Sequence, residues 1–443
     1  MGKLKQVIKR SGTKVSYKKN RIANAIYRAA VSVGGRDKKT ADKLADKVED
    51  ILIKEYRNKV PHIEDIQDIV EKVLIKNGHS KVAKAYILYR NDNIQSRKEK
   101  RIKASAPSSN IPWAKIWKIL NWSVSHDLNS VRNLNRRVKN GEFSHIVHES
   151  ENAYSDEVTM AAEMISNRID KLKMVLVTGP SSSGKTTTTR KLEKYLNELG
   201  YKFKMFAVDN YFYDLSMHPK DEFGDYDFET PQALDLDMIN VHINKLCRGE
   251  EVSIPFYDFK TGTRHLNRSK MKLDNNEILL IDSLHGLYPQ MTKSISDTKK
   301  FKLYLEPLFQ IKDNNEKYLR WTDIRLIRRM LRDSIHRAYN PTQTLEHWHY
   351  VRSSEIRHII PYLKSADYII NTAMPYELPI YKARFGKQFR KWTEEYRDDS
   401  LKEDAFLRAS RVNDLMQQIT GFSDESSIPQ DSVIREFIGG NSL

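Results

Sequence analysis

A glycine-rich segment followed by lysine and threonine carries the clearest chemical signal in the sequence. It fits the pattern G-x-x-x-x-G-K-[ST] and, with one further threonine, comprises Gly179, Pro180, Ser181, Ser182, Ser183, Gly184, Lys185, Thr186 and Thr187. Its glycines let backbone N–H groups point at phosphate oxygens, and a following helix adds partial positive charge. We expect Lys185 to reach the outer phosphates of ATP and the Thr186 hydroxyl to bind Mg²⁺. The alternative is an ordinary Gly/Ser turn.

Two aspartates follow apolar runs that read as strands. Asp209 comes after residues 203–208, and Asp282 comes after residues 278–281. Because the carboxyl ends of parallel strands face the ligand crevice, both carboxylates are expected beside the phosphate loop. Asp282 is the candidate metal-binding acid, and Asp209 is the candidate base for an acceptor hydroxyl. The alternative for each is an aspartate that only caps a helix or a turn.

Arginines recur on one face of a predicted helix, and another follows near its end: Arg325, Arg328, Arg329, Arg332 and Arg337. Asp333 is the only acid among them. Groups of one sign repel unless an anion lies between them, and planar guanidinium groups suit a transferring phosphate. We therefore favour a phosphate-binding helix over a merely solvated face.

These residues require a scaffold of alternating strands and helices. Apolar runs predict strands at residues 174–177, 203–208, 278–281, 301–305 and 368–370, and a helix over residues 185–199. The alternation predicts an α/β fold over residues 171–385 with a doubly wound, mainly parallel sheet. Together with the phosphate loop and the acids that a phosphate transfer needs, it is expected to form a P-loop kinase domain.

The flanking regions have a different character. Residues 1–95 predict a small, mostly helical domain, residues 96–170 a linker and helical connector, and residues 386–443 a helical tail that packs on the kinase domain. Residues 1–103 carry 27 Lys/Arg and 12 Asp/Glu, whereas the other residues carry 48 and 46. This basic excess predicts an anionic partner, unless it is only a well-solvated surface.

Composition narrows the class of protein. The chain has 443 residues, enough for two or three domains, and 39% of them are hydrophobic. No apolar run approaches the ~20 residues that span a bilayer. Cys247 is the only cysteine, which excludes an internal disulfide and a cysteine-rich metal site. We expect a cytoplasmic protein without membrane segments.

The motifs resemble the uridine kinase branch of the P-loop kinases, which includes phosphoribulokinase-like enzymes. The similar segments stand in that family's order: Gly179–Thr186, Asp209–Phe212, Tyr226–Pro231, Ile254–Phe259 and Arg328–Asp333. A bacterial uridine-kinase-related subgroup also resembles residues 260–264, 281–287 and 428–440. The resemblance implies phosphate transfer from ATP to a nucleoside 5′-hydroxyl, with Mg²⁺.

The resemblance also implies roles for individual residues. Asp209 would take the hydroxyl proton, while Asp282 would support Mg²⁺. Arg329, Arg332 and Arg337 would bind phosphates as a lid closes. The implied substrate-binding residues are Glu229, Tyr257, Phe259, Arg264 and His347. His347 and His349 are two residues apart in a predicted helix and point to different faces, so we do not interpret them as a metal pair.

The first 95 residues resemble the ATP-cone, a nucleotide-sensing module known from ribonucleotide reductases. The similar segments are residues 7–12, 21–22, 63–70 and 82–90. The resemblance implies that Lys9, Arg10 and Arg21 meet the phosphates of a regulatory nucleotide, and that the kinase is allosteric. We also expect a homo-oligomer.

One departure keeps the acceptor open. Gly262 stands where uridine kinases have a histidine that reads the pyrimidine. Loss of one polar group can redirect specificity, so a kinase for a purine nucleoside, a sugar phosphate or a pantothenate-like alcohol stays as an alternative. A second alternative is a nucleotide-sensing regulator that binds nucleic acid. We do not expect it, because it leaves Asp209 and the arginine helix unexplained.

Overall fold

A computed structural model describes residues 4–8, 14–31, 33–35, 37–57, 59–87, 110–219, 226, 229–274, 276–336, 340–399 and 402–442. The chain forms two compact units. One comprises residues 1–108 with 220–227, and the other comprises residues 109–219 and 228–443. Lys9, Arg10 and Arg337 lie outside the described residues. None of the described helices is long and apolar enough to cross a membrane.

The first unit is mostly helical, as the sequence predicts. Strand β1 (Gln6–Ile8) pairs antiparallel with β2 (Lys14–Ser16), and helices α1 (Lys19–Val31), α2 (Lys38–Glu55) and α3 (Ile63–Lys76) follow. Residues 80–87 are also helical. The apolar stripes of these helices meet in one core, with Val48, Leu52 and Leu74 fully buried. Burial of these stripes stabilises the unit.

The second unit begins with three helices that come before its sheet in the chain. They are α4 (Trp113–Ser125), α5 (Val131–Lys139) and α6 (Phe143–Ser166). The Ser130 side chain accepts a hydrogen bond from the Asn133 N–H and caps α5. Ile146, Val158 and Ile165 of α6 are buried in the same core as the sheet. The connector region is therefore integral to this unit.

The sheet has five parallel strands in the order β4–β7–β3–β8–β9. The strands of the unit, in chain order, are β3 (Met174–Thr178), β4 (Lys202–Met205), β5 (Val252–Asp258), β6 (Thr263–Met271), β7 (Glu277–Ser283), β8 (Lys300–Glu306) and β9 (Tyr368–Asn371). Strands β5 and β6 form a separate antiparallel hairpin. All five predicted sheet strands are present. β4 ends three residues early, because a short 3-10 turn at Val208–Tyr211 follows it.

Helices cover both faces of the sheet, as a doubly wound fold requires. They are α7 (Lys185–Glu198), α8 (Leu236–Leu246), α9 (Trp321–His336), α10 (Pro341–His358), α11 (Glu377–Glu395), α12 (Glu403–Gln418) and α13 (Arg435–Ile438). Alternate residues of β3 point to opposite faces. Val175 and Val177 belong to one core, whereas Met174 and Leu176 belong to the other.

Candidate active site

The phosphate loop joins β3 to α7 at the carboxyl edge of the sheet, and its two glycines are required by its shape. A Cβ atom on Gly179 would lie 2.4 Å from the carbonyl oxygen of Leu305 in β8. Gly184 has φ +88°, and a Cβ there would lie 2.4 Å from a methyl group of Val433. Only glycine fits such close approaches, and the positive φ of Gly184 also favours it.

The lysine of the loop contacts carbonyl oxygens of the loop itself. The Lys185 Nζ donates hydrogen bonds to the carbonyl oxygens of Gly179 (3.0 Å) and Pro180 (3.2 Å). Thr186, the second residue of α7, is exposed. The Thr372 hydroxyl, just after β9, donates to the Ser183 carbonyl oxygen at 2.7 Å. The loop is thus held from neighbouring strands while Thr186 stays accessible.

The register of the sheet places Asp282 at the same edge. Asp282 of β7 is paired with Val177 of β3, two residues before the loop begins. Burial raises the pKa of Asp282 to about 7; the Lys185 ammonium opposes this rise, while the carboxylates of Glu436 and Asp209 add to it. Asp209 and Asp282 are therefore close enough to interact electrostatically. Their predicted chemical roles stay predictions.

The residues present can serve a Mg²⁺ site only together with a nucleotide. Among the described residues, no group of three or more His, Cys, Asp or Glu side chains could hold a metal ion. Mg²⁺ in such sites is held by one or two protein ligands plus substrate phosphates and water. Exposed Thr186 and partly buried Asp282 fit that arrangement.

Arg325 and Arg328 of α9 do not face a bound phosphate as the sequence predicts, because both contact glutamates of the protein. The Arg325 guanidinium contacts Glu306 of β8 at 2.8 Å and Glu355 of α10 at 2.5 and 2.9 Å. The Arg328 guanidinium contacts Glu377 of α11 at 2.7 and 2.8 Å. Both arginines are buried. The interpretation of the whole face as phosphate-binding was therefore wrong for Arg325 and Arg328, whose anions are the protein's own glutamates.

Arg329 and Arg332 lie differently. Arg329 donates to the Ser181 hydroxyl of the phosphate loop at 3.1 Å and to Glu229 at 2.8 Å. Arg332 contacts the adjacent Asp333 at 2.9 Å. Arg329 thereby joins the phosphate loop to a predicted acceptor-binding residue.

An aromatic cluster stands beside the candidate base. The ring centroid of Tyr257 lies 4.9 Å from that of Phe259 and 5.4 Å from that of Phe212. The Tyr257 hydroxyl is buried and has no hydrogen-bond partner among the described residues, while Phe259 is 64% exposed. The backbone N–H of Tyr257 also contacts Asn210, next to Asp209, at 3.4 Å. Buried hydroxyl groups normally have partners, so a ligand is a natural one for Tyr257.

Arg264 and His347, the other two predicted substrate-binding residues, contact neighbouring side chains of the protein. Arg264 donates to Asp235 at 2.8 Å, and its guanidinium lies over the Tyr213 ring. His347 is exposed, and its ring packs near Tyr350. Among the contacts described, both side chains are occupied by protein neighbours.

The position of Gly262 has a geometric explanation. Gly262 lies in the β5–β6 turn with φ +67°, and a Cβ there would lie 2.8 Å from the Leu215 Cβ. A histidine cannot occupy this turn without shifting it. The lack of a histidine at position 262 therefore goes together with the tight shape of the β5–β6 turn.

Two residues of the site were missed by the sequence reasoning. His285, just after β7, is buried, with the backbone of Glu229 beside its ring. Burial lowers the pKa of His285 to about 3, so its imidazole is neutral. Its position three residues after Asp282 could have identified it. Glu436, which contacts the start of α7, has no local sequence signal.

The parallel sheet and its phosphate loop are typical of P-loop kinases. Residues 174–378 match the model of the phosphoribulokinase/uridine kinase family, and residues 5–94 match that of the ATP-cone domain. The chain therefore carries an ATP-cone domain followed by a kinase domain of the phosphoribulokinase/uridine kinase family.

Individual relatives match parts of the chain. A uridine kinase from Bacillus pumilus is 27% identical over 195 residues, which are 44% of this chain and 83% of the relative. A vitamin B12-dependent ribonucleoside-diphosphate reductase from Thermoplasma acidophilum is 43% identical over 104 residues, 22% of this chain but only 13% of the reductase. A solved structure described as a possible uridine kinase from Bacillus stearothermophilus has 16% identity and a TM-score of 0.34, covering 49% of this chain and 98% of that one.

Proposed function

We propose that this protein is an ATP-dependent nucleoside kinase of the uridine/cytidine kinase type, regulated by nucleotide binding to its ATP-cone domain. The observation that carries the proposal is the meeting of the phosphate loop, Asp282 and Arg329 at one edge of the sheet. Arg329 bridges the loop to Glu229, which we assign to the acceptor hydroxyl groups.

In the proposed reaction, an acceptor hydroxyl oxygen forms a bond to the γ-phosphorus of ATP as the bond to the β,γ-bridging oxygen breaks. Asp209 takes the hydroxyl proton. Lys185 leaves the loop carbonyl oxygens and binds the phosphates, whose negative charge spreads over the γ-oxygens in the transition state. Mg²⁺, held by Thr186 and Asp282, would neutralise charge on the β- and γ-phosphates.

The nucleoside assignment is supported by the aromatic cluster and by the relatives. Exposed Phe259 and half-buried Phe212 offer stacking surfaces for a base, and the Tyr257 hydroxyl below them offers a hydrogen bond. Uridine kinases are among the relatives of residues 174–378.

A different acceptor is the second candidate, and Gly262 is the observation that favours it. The turn at Gly262 has no room for a base-reading histidine. Neutral His285, buried three residues after Asp282, adds one donor and one acceptor to this edge of the sheet, as a purine nucleoside or a sugar phosphate would require.

A substrate panel separates the two candidates. ADP release is measured with Mg-ATP and uridine, cytidine, adenosine, guanosine, inosine, a sugar phosphate, pantothenate or no acceptor. We expect turnover with uridine and cytidine. Turnover with only another acceptor would change the proposed substrate but leave the proposed mechanism standing. Absence of turnover with every acceptor would contradict the kinase proposal.

The phosphate loop is tested by Lys185→Ala. We expect at least a ~10³-fold loss of turnover, because the variant loses a cation that stabilises transition-state charge. Lys194→Ala is the matched control, since Lys194 is an exposed lysine of the same helix α7. Circular dichroism checks that both variants fold. Turnover retained by Lys185→Ala would remove the proposal.

A further inference from the structure

A carboxylate from the far end of the chain contacts the start of the phosphate-loop helix. Glu436 of α13 accepts hydrogen bonds from both the backbone N–H and the hydroxyl of Thr187, each at 3.1 Å. Thr187 is the third residue of α7, and its N–H is one of those that have no partner within the helix. A carboxylate there also interacts favourably with the helix dipole.

The segment that carries Glu436 is fixed in the hydrophobic core. Val433, Ile434 and Phe437 are fully buried. The Ser432 hydroxyl is 2.9 Å from the Tyr376 hydroxyl, and the Arg328 guanidinium lies 5.0 Å from the Phe437 ring centroid. Withdrawal of the segment would expose these apolar side chains to water, which is unfavourable. Glu436 is thus anchored next to the phosphate loop.

Other contacts of the same segment reach the loop and its helix. A Val433 methyl group occupies the space where a side chain on Gly184 would lie. Asp431 forms an ion pair with Lys191, one turn further along α7, at 3.0 Å. The Asn441 amide donates to the Thr187 hydroxyl at 3.2 Å. The segment therefore packs along the first two turns of α7.

We infer that Glu436 is a positioning residue of the nucleotide site, which fixes the start of α7 and thereby the orientation of Lys185 and Thr186. The kinase-family match ends at residue 378, so this part of the site comes from a segment beyond it. The inference rests on the proposed function in one respect: the phosphate loop binds a nucleotide.

The test compares Glu436→Ala with Glu436→Gln in the full chain. Glutamine keeps an oxygen acceptor for the Thr187 N–H but removes the charge. Mg-ADP affinity is measured by calorimetry on chains that also carry Arg21→Ala, so that the candidate site of the first unit does not contribute. KM for ATP and kcat are measured with the best acceptor. We expect alanine to weaken Mg-ADP binding and raise KM for ATP about tenfold, and glutamine to restore both to within about threefold.

Asp431→Asn is the matched control. It also removes a carboxylate of this segment, but that carboxylate contacts α7 at Lys191 and not at the start of the helix. We expect it to leave both affinities unchanged. Thermal unfolding checks each variant; if Glu436→Ala does not fold, Thr187→Val, which removes only the hydroxyl contact, takes its place with an expected two- to fivefold loss.

Two results would overturn the inference. If alanine and glutamine both tighten nucleotide binding, the carboxylate competes with the phosphates instead of positioning their site. If alanine changes neither constant, Glu436 has no role there. If the Arg21→Ala protein binds Mg-ADP while the wild type phosphorylates no acceptor, the proposed function alone is contradicted, because calorimetry needs no acceptor. Wild-type protein that binds no nucleotide would contradict both.

Discussion

At the scale of single residues, Asp282 has the most informative environment. Burial raises its pKa from 3.8 to about 7. The folded protein therefore holds this proton more tightly than the unfolded chain does. The resulting stabilisation is fully present below the unfolded pKa and is lost as the pH rises through about 7.

This linkage gives a pH-dependent prediction for Asp282→Asn, which cannot titrate at that position. We expect the free energy of unfolding of the wild type, relative to the variant, to fall between about pH 4 and pH 8. The fall is at most ~4 kcal/mol, from the size of the shift. Urea denaturation at several pH values with EDTA measures it. A difference that is constant with pH would contradict the assigned protonation.

Residue-scale reasoning from the sequence found the groups that a local pattern defines. The phosphate loop was predicted, because its spacing to an apolar run is local information. Asp282 lies near the end of β7, whereas Asp209 lies in the 3-10 turn after β4. The contacts of Glu436 were not predictable in this way, since it lies 249 residues from Thr187 in the chain. Nothing in the spacing of nearby residues indicates such a partner.

At the scale of elements, helix α9 combines two kinds of arginine. The sequence predicted one guanidinium-lined face, but Arg325 and Arg328 are neutralised by glutamates 19, 30 and 49 residues away. Helical spacing reveals which side chains share a face, but it does not reveal what packs against that face. The buried pairs tie α9 to β8, α10 and α11, and so hold the element that presents Arg329.

These pairs lead to a stability prediction for Arg328→Ala. The variant leaves Glu377 buried without its cation, so we expect a loss of ~3–5 kcal/mol in the free energy of unfolding. Arg332→Ala, on the same helix, is the control and should cost less, because its partner Asp333 keeps a second cation, the Arg329 guanidinium at 3.4 Å. Denaturant titration measures both. Equal effects of the two changes would contradict the distinction between structural and phosphate-facing arginines.

The ends of helices and strands are predicted less accurately from the sequence than their presence. A strand was expected to reach residue 208, but β4 ends at Met205. The five sheet strands were found because parallel strands, buried on both faces, are continuous apolar runs. Their order β4–β7–β3–β8–β9 depends on pairings between distant segments.

At the scale of the whole molecule, the two units each present a candidate nucleotide site. In the first unit, Arg21, Lys18 and Gln67 line a cavity of about 270 Å³ together with Tyr17 and Tyr86. In the second unit, the phosphate loop is the site. The basic excess of residues 1–103 gives the first unit an electrostatic attraction for an anionic ligand.

We therefore predict two nucleotide-binding sites per chain. Calorimetric titration with a non-hydrolysable ATP analogue should give a stoichiometry of about two for the wild type. Arg21→Ala and Lys185→Ala should each reduce it to about one, because each removes a phosphate-binding cation from a different unit. Arg28→Ala, two turns along the same helix α1 and outside the cavity, should leave it at two. A wild-type stoichiometry of one would contradict a regulatory site.

The long separation between Thr187 and Glu436 also has a consequence for biosynthesis. A ribosome adds roughly 5–20 residues per second, so the phosphate loop leaves the ribosome roughly 12 to 50 seconds before Glu436 does. During that interval the core that Val433, Ile434 and Phe437 complete is open. We expect the nascent kinase domain to depend on chaperones until the segment that carries Glu436 has left the ribosome, and to acquire nucleotide binding only then.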